Sequence, residues 1–228
     1  MRILISGATG WVGGHTSVAA KERGHTVVEY LCEEPEAIIH LAWSGLPNYE
    51  SEKHFENVEW QTEFIAQAVD QGVRNITVTG TCLETIPNPP QYALAKLKLQ
   101  ANLAAILSEL KWARLWYLYG EGQPEHCLLP RLSKAVENHE ETFHVIDGER
   151  DFIDVKSVAK HLVLIAEQME ITGIIDVCWG WAESVESFCR KYVTNGMQLI
   201  PDYPIPSYEP KSFHGDRTKL NKIIEHTY

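Results

Sequence analysis

The first thirteen residues restrict this chain more than any other stretch. Arg2 to Ser6 is a short run rich in β-branched residues, and it ends on Gly7-Ala8-Thr9-Gly10-Trp11-Val12-Gly13. Trp11 to Arg23 then carries Val12, Val18, Ala19 and Ala20 at helical spacing until Gly24 stops it. A glycine turn between a strand and a helix can take positive φ and admit a pyrophosphate, while the helix offers free N–H groups and the positive end of its dipole. The spacing Gly7-x-x-Gly10-x-x-Gly13 differs from the commoner G-x-G-x-x-G. It makes Gly7, Thr9, Gly10, Trp11, Val12 and Gly13 candidates for binding NAD or NADP.

The alternation continues. Thr26 to Tyr30 and Ala37 to Leu41 read as strands, Phe55 to Gln71 as an amphipathic helix ended by Gly72, and Asn75 to Thr79 as a buried strand. Gln91 to Leu110 is helical by composition after Pro87, Pro89 and Pro90, and Trp112 to Leu118 returns to strand before Gly120-Glu121-Gly122. Strands alternating with helices predict an α/β fold, a doubly wound parallel sheet of the Rossmann type covered on both faces. Beyond Gly120 the pattern loosens. Helices are expected at Leu129 to Asn138, Lys156 to Met169 and Val185 to Tyr192, and strands at Phe143 to Ile146 and Ile174 to Cys178. Pro201 to Pro210, with four prolines and two tyrosines, is expected to be an ordered loop. A chain of 228 residues with 44% hydrophobic content supports one core. Residues 1–120 are therefore expected to form the dinucleotide-binding domain, and 121–228 a small, mainly substrate-binding α/β region packed on it as a single unit.

A formal charge of −11 without any run of lysine or arginine excludes nucleic acid and anionic membranes as partners, since both would be repelled. Five cysteines without a C-x-x-C pair fit reduced thiols, and no leader or spanning segment is read, so a cytoplasmic protein is expected. The ten histidines lack metal-ligand spacing, and no metal is expected.

Tyr92 and Lys96 stand four residues apart, one turn apart on a helix face, where an ammonium would favour the phenolate and bring Tyr92 toward the range of a general acid and base. Thr81 follows a central strand at the edge where doubly wound sheets bind ligands, and its hydroxyl can donate to a carbonyl oxygen that becomes an alkoxide. The residue that selects NAD or NADP is sought just past the second strand, where Glu29, Glu33 and Glu34 are available and Leu31-Cys32 intervene.

These residues, in this order, resemble the extended short-chain dehydrogenase/reductases, the NAD-dependent epimerase/dehydratase family acting on nucleotide sugars. Ile38-Ile39-His40-Leu41-Ala42-Trp43 looks like the family's H-L-A-A strand end, which implies that Leu41, Ala42 and Trp43 line the cofactor together with Tyr92 and Lys96. Asn57 to Thr62 is similar to the N-V-x-G-T helix, with Gln61 off the glycine. Arg114 to Gly120 resembles R-x-x-N-x-Y-G with Tyr117 in place of asparagine, and Arg150 to Val155 resembles R-D-F-I-H-V, which implies that Arg150 contacts the nucleotide diphosphate. Thr79 to Glu84, with Trp43 to Tyr49 and Tyr208-Glu209-Pro210, looks most like a nucleotide-sugar reductase subgroup, so Thr81 and Cys82 are implied to meet the substrate. The implied reaction is reduction of a nucleotide-linked 4-keto-6-deoxyhexose in cell-surface polysaccharide sugar biosynthesis. In it Tyr92 supplies the proton, Lys96 holds the ribose and tunes Tyr92, Thr81 steadies the oxygen and Asn57 supports the lysine through water. The family often dimerises through the helices carrying Phe55 and Tyr92, which implies a homodimer.

The chain departs from the family at two places: it passes from Tyr30 to Pro35 without the usual helix and strand, and the loop from Thr81 to Tyr92 is short, with Thr85-Ile86 in place of Y-G. These are either true deletions or flexible segments missing from the sequence. A nucleotide-sugar epimerase and a non-catalytic dinucleotide sensor or scaffold are the alternatives. A dehydratase is disfavoured, because Cys82-Leu83 supply no acid after Thr81.

Overall fold

The computed structural model describes residues 1–194 and 196–227. The first half of the chain runs β1 (Arg2–Ser6), α1 (Trp11–Glu22), β2 (Thr26–Val28), β3 (Ala37–His40), α2 (His54–Asp70), β4 (Asn75–Thr81), α3 (Gln91–Ala104) and β5 (Lys111–Leu115). The second runs β6 (Tyr117–Tyr119), α4 (Leu128–Glu137), β7 (Thr142–Ile146), β8 (Glu149–Arg150), β9 (Phe152–Asp154), α5 (Val155–Ala166), β10 (Gly173–Val177), β11 (Glu183–Ser184), α6 (Val185–Arg190), β12 (Gln198–Tyr203), β13 (Ser212–Phe213) and α7 (Thr218–Thr227).

Six parallel strands form the central sheet in the order β10-β5-β4-β3-β1-β2. Successive side chains leave a strand on opposite faces, and both faces here are apolar. Ile3, Ile5 and Ile39 meet Ala20 of α1, Leu162 of α5 and Leu220 of α7. Leu4, Ile38 and Val78 meet Ile65 of α2 and Leu99 of α3. A smaller core around Leu132, Phe143, Phe188 and Leu199 joins α4, β7, α6 and β12.

Four expectations need correction. The strand expected through Leu118 breaks at Trp116, whose buried ring packs on Phe213, and β6 leaves the sheet to pair with β9. α3 stops at Ala104, because Leu107 and Leu110 turn into the core beneath β5. Pro201 lies inside a strand: β12 pairs only with β7, so the missing N–H falls on an open edge. α7 was not expected, although Leu220 and Ile223 at i, i+3 behind the Asp216 side chain, which accepts from the Thr218 N–H, carried the signal.

The connection from β2 to β3 positions the site. β2 lies outside β1 and reaches only the level of Leu4, whereas β3 flanks β1 on its other side up to Ser6. Residues 29–36 cross back over the α2/α3 face, where Leu31 packs on the core. The segment is continuous and carries only a 3-10 turn at Leu31–Glu33, so no helix and strand extend the sheet beyond β2. Going outward from β1 to β2 and then back to β3 puts the reversal of strand order between β1 and β3, where doubly wound sheets open a crevice.

A buried chain of hydrogen bonds pins those two strand ends. Ser6 Oγ contacts His40 Nδ1 at 2.6 Å, His40 Nε2 contacts Gln61 Oε1 at 2.9 Å, and Gln61 Nε2 donates to Ala42 O at 2.9 Å. Burial pushes the His40 imidazole down to about 4, and His161, buried on α5, goes to about 4 for the same reason. An unfolded chain protonates both near 6.5, so the stability they contribute is complete above that value and is lost as pH falls from 6.5 to about 4, on the order of 3 kcal/mol for a fully buried imidazole. The urea midpoint is therefore expected to drop over this interval. His161→Phe should flatten the slope, since Nδ1 of His161 has no hydrogen-bond partner among the described residues.

Candidate active site

The residues singled out around the glycine turn and β4 come together at the carboxyl ends of β1, β3 and β4. Gly7 has φ +75°, and a Cβ there would stand 2.9 Å from Ala42 N. A Cβ at Gly13 would stand 2.0 Å from Gly7 O. The turn therefore closes only with bare backbone at both positions, and the start of α1 lies directly on the end of β1. No side chain caps Gly10, and Thr9 and Gly10 are exposed. The first-turn amides of α1 consequently point at a backbone cradle that fits a diphosphate. Trp11 Nε1 donates to Glu121 O at 2.7 Å, which leans the 120–122 loop against the same helix end. Leu41, Ala42 and Trp43 follow β3 beside the turn and are half-buried.

At the carboxyl end of β2 the groups are acidic. Glu33 Oε2 accepts from the N–H groups of Glu29 and Tyr30, both at 2.9 Å, while Glu34 lies 3.9 Å from Arg2. Glu29, Tyr30 and Cys32 are exposed.

Thr81 ends β4, and the 3-10 turn Cys82–Thr85 folds Glu84 back beneath it. The buried Glu84 carboxylate accepts from Thr81 N at 2.7 Å, Trp112 Nε1 at 2.9 Å and Arg114 Nε at 3.3 Å. Burial raises its pKa above the usual carboxylate range, against these donors. Gly80 has no space for a side chain, since a Cβ would meet Trp112 Nε1 at 2.2 Å. Glu84 thus holds the Thr81 backbone in place.

Tyr92 and Lys96 are both buried on α3, with Tyr92 N donating to Tyr49 O at 2.9 Å. Burial pushes the Tyr92 phenol well above its ordinary value. Tyr49, Glu84 and Cys82 add to this, and a hydrogen bond with the Thr81 side chain opposes it. Lys96 Nζ donates to Thr79 O at 2.8 Å and lies 3.9 Å from the centre of the Trp43 ring. Tyr92 is therefore a protonated phenol beside Thr81, the state of a proton donor.

Three further expected site residues have other partners in this structure. Asn57 Oδ1 accepts from Ser44 N and Ser44 Oγ at 3.0 Å, and its Nδ2 donates to Ser44 O and His54 O. The Cys82 thiol is buried among Leu83, Ile86 and Trp116, and its pKa is pushed up. Arg150 is 1% exposed and spends its donors on Glu209, with Nη2 to Oε2 at 2.6 Å and Nε to Oε2 at 3.1 Å, and on the carbonyls of Glu149, Pro210 and Lys211. It pins the 209–211 segment to β8. The sequence did not point to His54, which is buried against both Trp43 and Tyr92. A single histidine at a helix start carries no periodic signal.

Among the described residues, no cluster of histidine, cysteine, aspartate or glutamate is arranged for a metal ion, and no helix is long and apolar enough to cross a membrane.

No family model matches the chain. A curated relative, the dTDP-6-deoxy-L-talose 4-dehydrogenase (NAD(+)) of Aggregatibacter actinomycetemcomitans, is 24% identical over 271 residues, covering 94% of this chain and 99% of the relative. That alignment is longer than the 228-residue chain, so the relative carries segments that this chain lacks. Among solved structures, the NAD-dependent NDP-hexosamine 5,6-dehydratase TunA, involved in tunicamycin biosynthesis, superposes with a TM-score of 0.81 at 22% identity, covering 98% of this chain and 91% of that one. RMD from Pseudomonas aeruginosa, complexed with NADPH, superposes with a TM-score of 0.83 at 18% identity, covering 97% and 91%. At these identities the two structures establish the fold.

Proposed function

We propose that this chain, a member of the NAD-dependent epimerase/dehydratase family of nucleotide-sugar enzymes, reduces the keto group of a nucleotide-linked 4-keto-6-deoxyhexose with NADH. The observation that supports this reading is the buried Tyr92 phenol on α3 beside Thr81 at the carboxyl end of β4, where it can give a proton to a carbonyl oxygen. Reduction of a ketone needs a proton donor at the oxygen, whereas oxidation of a sugar hydroxyl needs a phenolate.

The residues that would hold the dinucleotide are Gly7, Thr9, Gly10, Trp11, Val12 and Gly13 at its diphosphate, and Leu41, Ala42, Trp43, Tyr92 and Lys96 at its nicotinamide half. When bound, it supplies the hydride. Thr81 donates to the carbonyl oxygen, and Tyr92 gives up its proton as that oxygen gains charge. Lys96 contributes the positive charge that offsets the phenolate left behind. Glu84, held by Thr81 N, Trp112 and Arg114, is not free to take a proton from a sugar carbon, which argues against a dehydratase.

The carboxylates at the end of β2 favour NADH. Glu29, Glu33 and Glu34 follow β2, the strand end at which a 2′-phosphate would be met, with Glu33 accepting from the Glu29 and Tyr30 amides and Glu34 lying 3.9 Å from Arg2. Repulsion of a dianion across a few ångströms is worth more than about 1.4 kcal/mol, so kcat/KM with NADH should exceed that with NADPH at least about tenfold. A panel of nucleotide-linked 4-keto-6-deoxy sugars, followed by coenzyme absorbance, tests substrate and coenzyme together. Equal rates with NADPH would remove the assignment to the β2 carboxylates.

The same reading includes a homodimer. Phe55 and Trp60 on α2 and Leu94 on α3 are 40%, 45% and 38% exposed, large apolar side chains that a second copy would cover. Light scattering should give a dimer mass that Trp60→Glu reduces to a monomer. A monomeric parent protein would end this proposal.

A further inference from the structure

Lys96 is 2% exposed and makes no ion pair among the described residues, yet a buried ammonium needs a compensating partner. One hydrogen bond, to Thr79 O at 2.8 Å, accounts for one of its three donors. The other close group is the face of Trp43, 3.9 Å away at its centre. That ring is fixed from behind. Trp43 Nε1 donates to His54 Nδ1 at 3.1 Å, and His54 Nε2 donates in turn to Asn48 O at 2.7 Å. His54 lies so close to Gly45, at φ +97°, that a Cβ there would stand 3.0 Å from the imidazole. Asn57 ties down Ser44, the residue next to Trp43.

We propose that Trp43 is the positioning residue of Lys96: its indole face, held by His54 and Asn57, is the counter-group that keeps the buried ammonium charged and aimed past the end of β4. An aromatic face stabilises a desolvated cation through its quadrupole. Unlike a carboxylate, it cannot accept the proton or neutralise the charge, so the full positive charge stays available to a ribose hydroxyl and to the Tyr92 oxygen. The other ionisable groups around Lys96 are Glu84 in the turn after β4, which favours the charged form from a distance, His40 at the end of β3, which stays neutral, and the protonated Tyr92 one helical turn earlier. Burial, opposed by the Glu84 charge, brings the ammonium down to about 7, so a lost counter-group should change its charge near neutrality. The service of Lys96 to ribose and phenol rests on the reductase proposal; the statement about its charge does not.

The test is a pH titration of the lysine Cε resonances in 13C-lysine-labelled protein, with Lys96→Met used to assign the signal. Trp43→Leu should lower the Lys96 midpoint by about one pH unit, a tenfold change in its acid dissociation constant, while Trp43→Phe, which keeps an aromatic face, should hold it within a few tenths. Should Trp43→Leu not fold, Trp43→Met takes its place. An unchanged midpoint without the ring, or an equal fall in Trp43→Phe, overturns the proposal. Turnover is measured in parallel. A shifted midpoint with unaltered kcat would leave Trp43 as counter-group and refute the role of Lys96 in reduction.

Discussion

Tyr92→Phe is expected to lower kcat for keto-sugar reduction by about a thousandfold with little change in KM. The hydroxyl is the only atom removed, and the ring keeps its contacts with Trp43, Tyr49 and His54. Because the proton moves only as the carbonyl oxygen gains charge, the loss falls on the transition state and not on binding. NADH affinity and melting temperature should therefore stay near those of the parent protein. Retained turnover in Tyr92→Phe would remove Tyr92 as the proton donor, whereas a parent protein that binds coenzyme but turns over no keto sugar would support a sensor or scaffold.

The second large effect is expected at Gly13. A methyl group there would stand 2.0 Å from Gly7 O and 2.7 Å from the Gly7 carbonyl carbon, both backbone atoms that cannot rotate aside. Gly7 itself is held against Ala42 N, so the turn has no free direction in which to move. Gly13→Ala must lift α1 from the end of β1, at a cost of about 3 kcal/mol or more. This moves the amides meant for the diphosphate, and NADH affinity measured by coenzyme fluorescence should fall about a hundredfold. Gly24→Ala, where nothing lies within 4 Å, is the companion variant: its φ of +80° strains the backbone far from the turn and should leave NADH affinity unchanged. Unaltered affinity in Gly13→Ala would mean that the turn does not hold the coenzyme.

The glycine turn was legible because its determinants are local: strand, turn and helix lie within the first 22 residues, and the closeness of Gly13 to Gly7 follows from one turn of backbone. The Tyr92–Lys96 spacing was legible for the same reason, since i and i+4 share a helix face. What Lys96 touches was not, because Trp43 comes from another strand end, 53 positions earlier, and no periodicity links the two. Arg150 shows the same limit. Its resemblance to a diphosphate-binding position is a sequence property, but its neutralisation by Glu209 depends on β13 lying beside β8. The missing helix and strand after β2 could be read from the shortness of the segment. That residues 29–36 cross over the α2/α3 face follows only from which side of β1 each strand occupies.

Reduction at this site requires that the hydride come from NADH and stay on the sugar. Incubating the protein with a nucleotide-linked 4-keto-6-deoxy sugar and NADH deuterated at the transferable position should give a 4-hydroxy sugar carrying one deuterium on C4, with one NADH consumed per sugar. A sugar returned without deuterium and without net loss of NADH, from protein shown to bind the coenzyme, would contradict reduction at this site.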